Sequence, residues 1–162
     1  MPRTTYLVGR LERVLRRQLA ELLIPVKLSV AQYTTLSVLQ ARGYRSNAEL
    51  AKRAFISPQA MHQVMQGLER RKLVSRLASQ SHGRIVQLLL TPKGVELMRD
   101  CDAAVNQLEL KMLKCLSIPE SKLLRAALAA CTHALEGRSA SGTRSAVKEA
   151  AVPLLRRKPS LK

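Results

Sequence analysis

Aromatic residues are scarce in this chain, which has no tryptophan, one phenylalanine and three tyrosines among its 162 residues. Its core must therefore be built from aliphatic side chains, and 46% of the residues are hydrophobic. Leucine, alanine and methionine are good helix formers, so this composition favours a helical protein. The chain is long enough for one domain of ordinary size with extensions, and it is too short for two such domains.

The chain also lacks the features of secreted, metal-binding and membrane-spanning proteins. Its three cysteines, Cys101, Cys115 and Cys131, are too few and too far apart for a zinc motif, and an odd number argues against a disulfide framework. No run approaches the roughly 20 apolar residues of a transmembrane helix, and the N-terminus mixes charges into its apolar pattern. We expect a cytoplasmic protein with reduced thiols, no metal and no other cofactor.

Acidic residues are few as well, because 11 Asp and Glu stand against 28 Lys and Arg, which gives a net charge of +17. Residues 1–136 carry 21 basic and 10 acidic side chains, or +11, and residues 137–162 carry 7 and 1, or +6. The charge is therefore not confined to the C-terminal end. It implies an anionic partner, most often nucleic acid or an anionic membrane surface.

Apolar periodicity and capping residues predict four helices in the N-terminal half, over about 6–23, 29–42, 46–55 and 57–71. The last three each begin with a serine that can act as N-cap, and the fourth also has proline at its first helical position.

Two extended runs, 73–77 and 84–90, follow with a polar, glycine-containing loop between them, and this pattern predicts a β-hairpin. Two more helices are predicted between 92 and 136. The order is that of a winged helix-turn-helix: mainly α, with a small β-hairpin wing. We assign 29–91 to DNA binding, 1–28 and 92–136 to helical dimerisation, and 137–162 to a basic extension.

In such a fold the second helix of the pair enters the DNA major groove. Its exposed face is predicted to hold the base-reading side chains Ser57, Gln59, Ala60, His62, Gln63 and Gln66. Glutamine can pair with adenine, histidine and serine can donate to base edges, and alanine can contact a thymine methyl group. Basic residues near this face are expected to contact phosphates: Lys52, Arg53, Arg70, Arg71 and Arg76.

Arg84 lies beside the tip of the predicted hairpin and follows Gly83. From there its guanidinium could extend into a narrow minor groove, where A·T tracts attract such groups, with His82 assisting. The alternative interpretation of Arg84 is an exposed charge at a strand end, and that of the polar helix face is simple solvation.

Four motifs resemble the multiple-antibiotic-resistance regulator (MarR) family over roughly residues 5–136: Leu68-Glu69-Arg70, Leu73-Val74-Ser75-Arg76, Arg84 and Leu90-Thr91-Pro92-Lys93-Gly94. Two positions depart from the family pattern. Lys72 replaces the glycine that usually permits a left-handed helix cap, so that cap is not expected here. His82 replaces an aspartate, which removes the ion pair expected for the wing arginine.

The resemblance implies a sequence-specific transcriptional regulator, expected to be a repressor, that acts as a homodimer on a pseudo-palindromic duplex site. A small-molecule effector is expected to change the affinity of this dimer for DNA, and no membrane partner is expected. The chain itself points to dimerisation, because the seam from Met98 to Cys115 and the apolar face of the first helix need more burial than one winged domain supplies. The expected dimer residues are Leu7, Leu11, Val14, Met98, Val105, Leu108, Met112, Leu124 and Leu128.

Other functions remain open at this point. An enzyme is disfavoured, because only three histidines are present and no carboxylate pair, phosphate loop or metal spacing accompanies them. A basic protein that coats DNA or RNA without sequence preference would need only the charge. One branch of the family senses peroxide through an N-terminal cysteine, but this chain has none before Cys101, and its thiols are expected to be structural.

Overall fold

The computed structural model describes residues 1–41, 46–78, 86–137 and 147. The elements in these residues are, in order, α1 (Thr4–Leu23), α2 (Val30–Ala41), α3 (Asn47–Arg53), α4 (Pro58–Arg70), β1 (Val74–Ala78), β2 (Val86–Leu90), α5 (Pro92–Leu113) and α6 (Ile118–Leu135). β1 and β2 form an antiparallel pair in which Val74 faces Leu90. The predicted mainly helical fold with a small hairpin is confirmed.

Serine side chains open the helices as the sequence predicts. The Oγ atoms of Ser46 and Ser57 accept hydrogen bonds from the backbone N–H of Glu49 and Ala60, each at 3.1 Å. A serine oxygen thereby satisfies an N–H that has no partner within the first turn of the helix. These two caps fix where α3 and α4 begin, and so fix the turn between them.

The end of α4 differs from the expectation. Lys72 adopts the left-handed conformation with φ of +56°, although it is not glycine. Its N–H donates to the carbonyl of Glu69, and the N–H of Leu73 donates to the carbonyl of Leu68. These are the two bonds of a Schellman motif, so the prediction that the helix lacks a left-handed cap is wrong.

We expect Lys72→Gly to raise the free energy of unfolding by about 0.5–1 kcal/mol, because glycine adopts this conformation without the clash of a β-carbon. Lys72 is exposed, so no core contact is lost with its side chain. Urea denaturation followed by circular dichroism measures the change. The matched control is Lys72→Ala, which keeps the β-carbon; an equal gain from both substitutions would contradict this explanation.

The chain divides into two compact units, 1–108 and 109–162. The core of the first unit is aliphatic and joins α2, α3, α4, the hairpin and the start of α5. Its fully buried side chains are those of Leu23, Thr35, Leu36, Leu50, Met61, Met65, Leu68, Leu73, Leu88 and Met98. In its described part, the second unit contains the end of α5 and the whole of α6. None of the described helices has the length and apolar character needed to cross a membrane.

Met98 therefore requires a correction. Its spacing predicted a place in a seam that contacts a partner chain, but its side chain is completely covered within the first unit. A side chain with no exposed surface contributes nothing to an interface. The regular spacing that begins at Met98 is, at its N-terminal end, the spacing of a helix packed on its own core.

The junction between α4, the hairpin and α5 depends on Thr91 and Gly94. The Thr91 hydroxyl donates to the carbonyl of Lys72 at 2.7 Å and accepts from the N–H of Gly94 at 3.1 Å. The N–H of Thr91 donates to the carbonyl of Leu73. One threonine thus caps α5 and joins it to the residues that end α4.

Candidate nucleic-acid interface

α4 has one buried face and one polar, exposed face. Met61, Met65 and Leu68 are fully buried, and Val64 is partly buried against the same core. The structure leaves most of the expected base-reading residues exposed on this helix or at its cap, namely Ser57, Gln59, His62, Gln63 and Gln66, and Ala60 is half-buried. Residues three, four and seven apart share one side of a helix, so Gln59, Gln63 and Gln66 lie together.

A hydrogen bond within α4 orients two of these side chains. The amide nitrogen of Gln66 lies 3.0 Å from Nε2 of His62, one turn earlier. The contact uses Nε2, so the other ring nitrogen, Nδ1, remains available to a partner outside the protein. This bond restricts both side chains before any ligand binds.

The basic residues around α4 differ in their availability. Lys52, Arg53 and Arg70 are exposed. Arg76 is also exposed, with its Nε donating to Oε1 of Glu69 at 2.6 Å. The Glu69 bond fixes the Arg76 guanidinium beside the end of α4 and leaves its other N–H groups to bind an anion.

Arg71 has a different role from its neighbours. Its guanidinium donates to the carbonyl oxygens of Lys27 at 2.6 Å and Val26 at 3.0 Å. These carbonyls belong to the turn between α1 and α2, where Lys27 has a positive φ of 52°. The arginine therefore holds this turn against the end of α4, and we do not retain it as a phosphate contact.

The two wing residues of the sequence analysis, His82 and Arg84, lie outside the described residues. The strands that carry the wing are described, and Leu88 of β2 is buried in the core. β1 and β2 thus anchor the hairpin on the winged-helix core, and the roles of His82 and Arg84 stay predictions.

Apolar side chains that their own unit leaves uncovered lie on α1 and α6. Leu7, Leu11 and Val14 of α1 are between 37% and 47% exposed. Leu124 is half-buried and Leu128 is 41% exposed on α6, a helix without any buried residue. Val105, Leu108 and Met112 of α5 are half-buried. Such faces suit a second copy of the chain. Tyr6 and Val8 are also exposed on α1, but they lie on other sides of the helix than Leu7 and Leu11.

The three cysteines lie in different surroundings. Cys101 is buried, whereas Cys115 and Cys131 are exposed. Burial, followed by the charge of Asp102, raises the pKa of the Cys101 thiol. In the part of the chain that the structure describes, no three His, Cys, Asp or Glu residues are grouped as metal ligands.

We expect iodoacetamide to leave Cys101 of the native protein unmodified, because a buried thiol with a raised pKa is neither accessible nor ionised near neutral pH. Urea unfolding should make the same thiol reactive. Mass spectrometry of the digested protein measures the modification. Equal rates of labelling in the native and unfolded protein would contradict the burial of this side chain.

One polar contact was not foreseen. The Tyr33 hydroxyl donates to Oδ1 of Asp102, and the Gln40 amide donates to Oδ2, both at 3.3 Å. Burial is the largest cause that raises the pKa of Tyr33. The contact joins α2 to α5 across more than 60 residues of sequence, so no local pattern indicates it.

Comparison with known proteins agrees with this geometry. A model described as the MarR family matches residues 27–85. The HTH-type transcriptional repressor Rv2887 of Mycobacterium tuberculosis is 34% identical over 117 residues, which are 72% of this chain and 84% of the repressor.

Crystal structures of the same M. tuberculosis protein also resemble this one. Its complex with salicylic acid has a TM-score of 0.67 at 32% identity, covering 80% of this chain and 96% of that one. Its complex with DNA has a TM-score of 0.66 at 28% identity, covering 80% and 97%.

Proposed function

The chain belongs to the MarR family, and from that premise we propose that it is a transcriptional repressor that binds double-stranded DNA as a homodimer. The observation that carries the proposal is α4, which is capped at Ser57, anchored by Met61, Met65 and Leu68, and exposes a row of amide and imidazole side chains. A helix of this kind fits the major groove with its N-terminal residues at the base edges.

Within this proposal, the residues have two kinds of role. Gln59, His62 and Gln63 read base edges, with contributions from Ser57, Ala60 and Gln66. A second set neutralises phosphates and sets the register, namely Lys52, Arg53, Arg70 and Arg76. Arg84, with His82, binds the minor groove from the wing. The apolar faces of α1, α5 and α6 join the two copies, so two α4 helices meet a pseudo-palindromic site.

A small aromatic acid is the proposed class of effector. The relative from M. tuberculosis has been crystallised with salicylic acid and with p-aminosalicylic acid. Such a ligand releases DNA only if it binds the DNA-free conformation more tightly than the DNA-bound one. By reciprocity, operator DNA should lower the affinity for salicylate by the same factor that salicylate lowers the affinity for DNA.

The proposal describes a regulator rather than an enzyme, and it places the protein in the cytoplasm with the DNA. The alternative function is that of a basic protein that coats nucleic acid without sequence preference. The two are distinguished by selecting bound sites from random duplex DNA at physiological salt. A repressor should yield a common site that it binds on the order of 10³-fold or more above unrelated DNA, whereas a coating protein should yield none.

Two substitutions then test the proposed base-reading and wing residues by their effect on binding to the selected site. Gln63→Ala should relax the preference at one or two base pairs, because each paired glutamine contributes about 1–3 kcal/mol of discrimination. Arg84→Ala should weaken binding strongly without moving that preference to other base pairs. Fluorescence anisotropy on single-base variants of the site measures both. If both variants kept the affinity and the base preference of the parent, this assignment of the base-reading and wing residues would be wrong.

A further inference from the structure

α1 carries a set of arginines that the proposed DNA contacts do not use. Arg10, Arg13 and Arg17 are exposed on α1, and Arg3 is exposed at its N-cap. With 100° of rotation per residue, Arg10, Arg13 and Arg17 fall within an arc of about 60° on the helix. We call these three residues the α1 arginine face.

Within the described residues, the α1 arginine face forms no ion pair. The two acidic residues of α1 are bound elsewhere, since Glu12 accepts from Arg16 at 2.7 Å and Glu21 accepts from Gln18 at 3.3 Å. In the part of the chain that the structure describes, three positive charges therefore lie together without a counter-charge. Such a group attracts a polyanion, and its attraction weakens as salt is added.

The face points away from the rest of its unit. Leu15, Leu19 and Leu22 are half-buried, and their helical positions are roughly opposite to the arginines. The side chains proposed for dimerisation, centred on Leu7 and Leu11, lie about a quarter-turn to one side. The core therefore leaves the arginines uncovered, and the proposed dimer contact lies beside them, nearest to Arg10.

The α1 arginine face is also separated from α4, the helix proposed to read the operator. α2 packs on α1 and on α4, whereas α1 and α4 do not pack extensively on each other. The arginines and α4 thus form separate surfaces, and the partner of the arginines is an anion other than the operator that α4 would hold.

Resting on the proposed function, we propose that the α1 arginine face binds the phosphates of a second DNA duplex while α4 holds the operator. The three arginines extend along about 10 Å of the helix axis. A duplex presents about six phosphate charges over that length, so each of the three arginines has phosphates within its reach. The protein would then bridge two segments of DNA, and its affinity for the second would be independent of sequence.

An anionic membrane is the other partner that a basic amphipathic helix could suit. The C-terminal half of α1 argues against it, because Leu22 is half-buried and Leu23 is completely buried in the core. That half of the helix is not free to place its apolar side into a bilayer. A duplex needs only the exposed arginines.

A capture experiment tests the proposal with the full chain. The selected operator duplex is attached to beads and saturated with protein, and a labelled duplex of unrelated sequence is then added. The test variant is Arg10→Gln/Arg13→Gln/Arg17→Gln. The matched control is Lys111→Gln/Lys114→Gln/Lys122→Gln, which removes the same charge from exposed positions on and beyond α5 and on α6.

We expect the parent and the control to capture the labelled duplex, and the arginine variant to capture it at least tenfold less well. The salt dependence of capture should fall by about 2–3 in log–log slope in that variant. Affinity for the isolated operator should stay within twofold of that of the lysine control, which loses the same net charge, and this also shows that the variant is folded.

Absence of capture by the parent, or equal capture by the arginine variant, would overturn the proposal. So would binding to phosphatidylserine vesicles that requires these arginines, in a protein that captures no second duplex. A selection that yields no operator counts against the proposed function itself. A successful selection followed by no capture counts against this inference alone.

Discussion

Gly94→Ala is expected to lower the free energy of unfolding by at least about 3 kcal/mol, the upper part of the range for an overpacked core. Gly94 is buried near the start of α5. An added β-carbon would lie 2.1 Å from the carbonyl oxygen of Leu73, a backbone atom that has no rotamer by which to move away. The midpoint of urea denaturation, followed by circular dichroism, measures the loss.

Relief of this clash would require the backbone of α5 to separate from that of Leu73. The hydrogen bonds of Thr91 to the carbonyls of Lys72 and Leu73 hold the two together, so the separation would break them as well. Since a domain of this kind is stable by only about 5–15 kcal/mol, such a loss brings it close to unfolding.

Gly9→Ala is the matched control. Gly9 lies within α1, and a β-carbon there meets no atom within 4 Å. Alanine in an open helical position is more favourable than glycine by about 0.5–1 kcal/mol, so this variant should be more stable than the parent. If Gly94→Ala also raised the denaturation midpoint, the close approach of Leu73 to Gly94 would not exist in the protein.

Local features of the fold were predictable from the sequence because they depend on neighbouring residues. Ser57 and Pro58 define the beginning of α4 through a hydrogen bond and a fixed φ, and both signals lie within one turn of the helix. The end of α4 at Lys72 was not predictable, because lysine disfavours a left-handed conformation. There the two Schellman hydrogen bonds and the contact with Thr91 outweigh the preference of one residue.

The faces of the helices were predictable, but not what covers them. Met98 and Leu108 occur at the same three- and four-residue spacing, yet the first is completely buried and the second is half-buried. Helical periodicity indicates only that a face is apolar. It does not indicate whether that face packs on the same chain or on another. Only the position of α5 on the core distinguishes the two.

The same limit applies to charge. Arg70 and Arg71 are adjacent and chemically identical, but Arg70 is exposed and Arg71 binds two carbonyls of the turn after α1. The partners of Arg71 are more than 40 residues away in sequence. A contact between distant segments cannot be predicted from the sequence of either segment alone, as the hydrogen bond between Tyr33 and Asp102 also illustrates.

Gln59→Glu/Gln63→Glu is expected to reduce affinity for the selected operator on the order of a thousandfold. Each glutamine can form a bidentate pair with adenine that contributes about 1–3 kcal/mol, and a carboxylate cannot donate to complete that pair. The two new negative charges would also lie among DNA phosphates, which repel them. Anisotropy titrations at fixed salt measure the affinity.

The substitutions are expected to leave the fold unchanged, because Gln59 and Gln63 are both exposed, and Gln59 lies in the first turn of α4, where the helix dipole favours negative charge. The control Asn106→Asp/Gln107→Glu makes the same change of charge at exposed positions of α5. It should lower the affinity only a few-fold, through the change in net charge. Equal losses in the two variants would mean that α4 supplies no base contacts and that bulk charge alone governs binding.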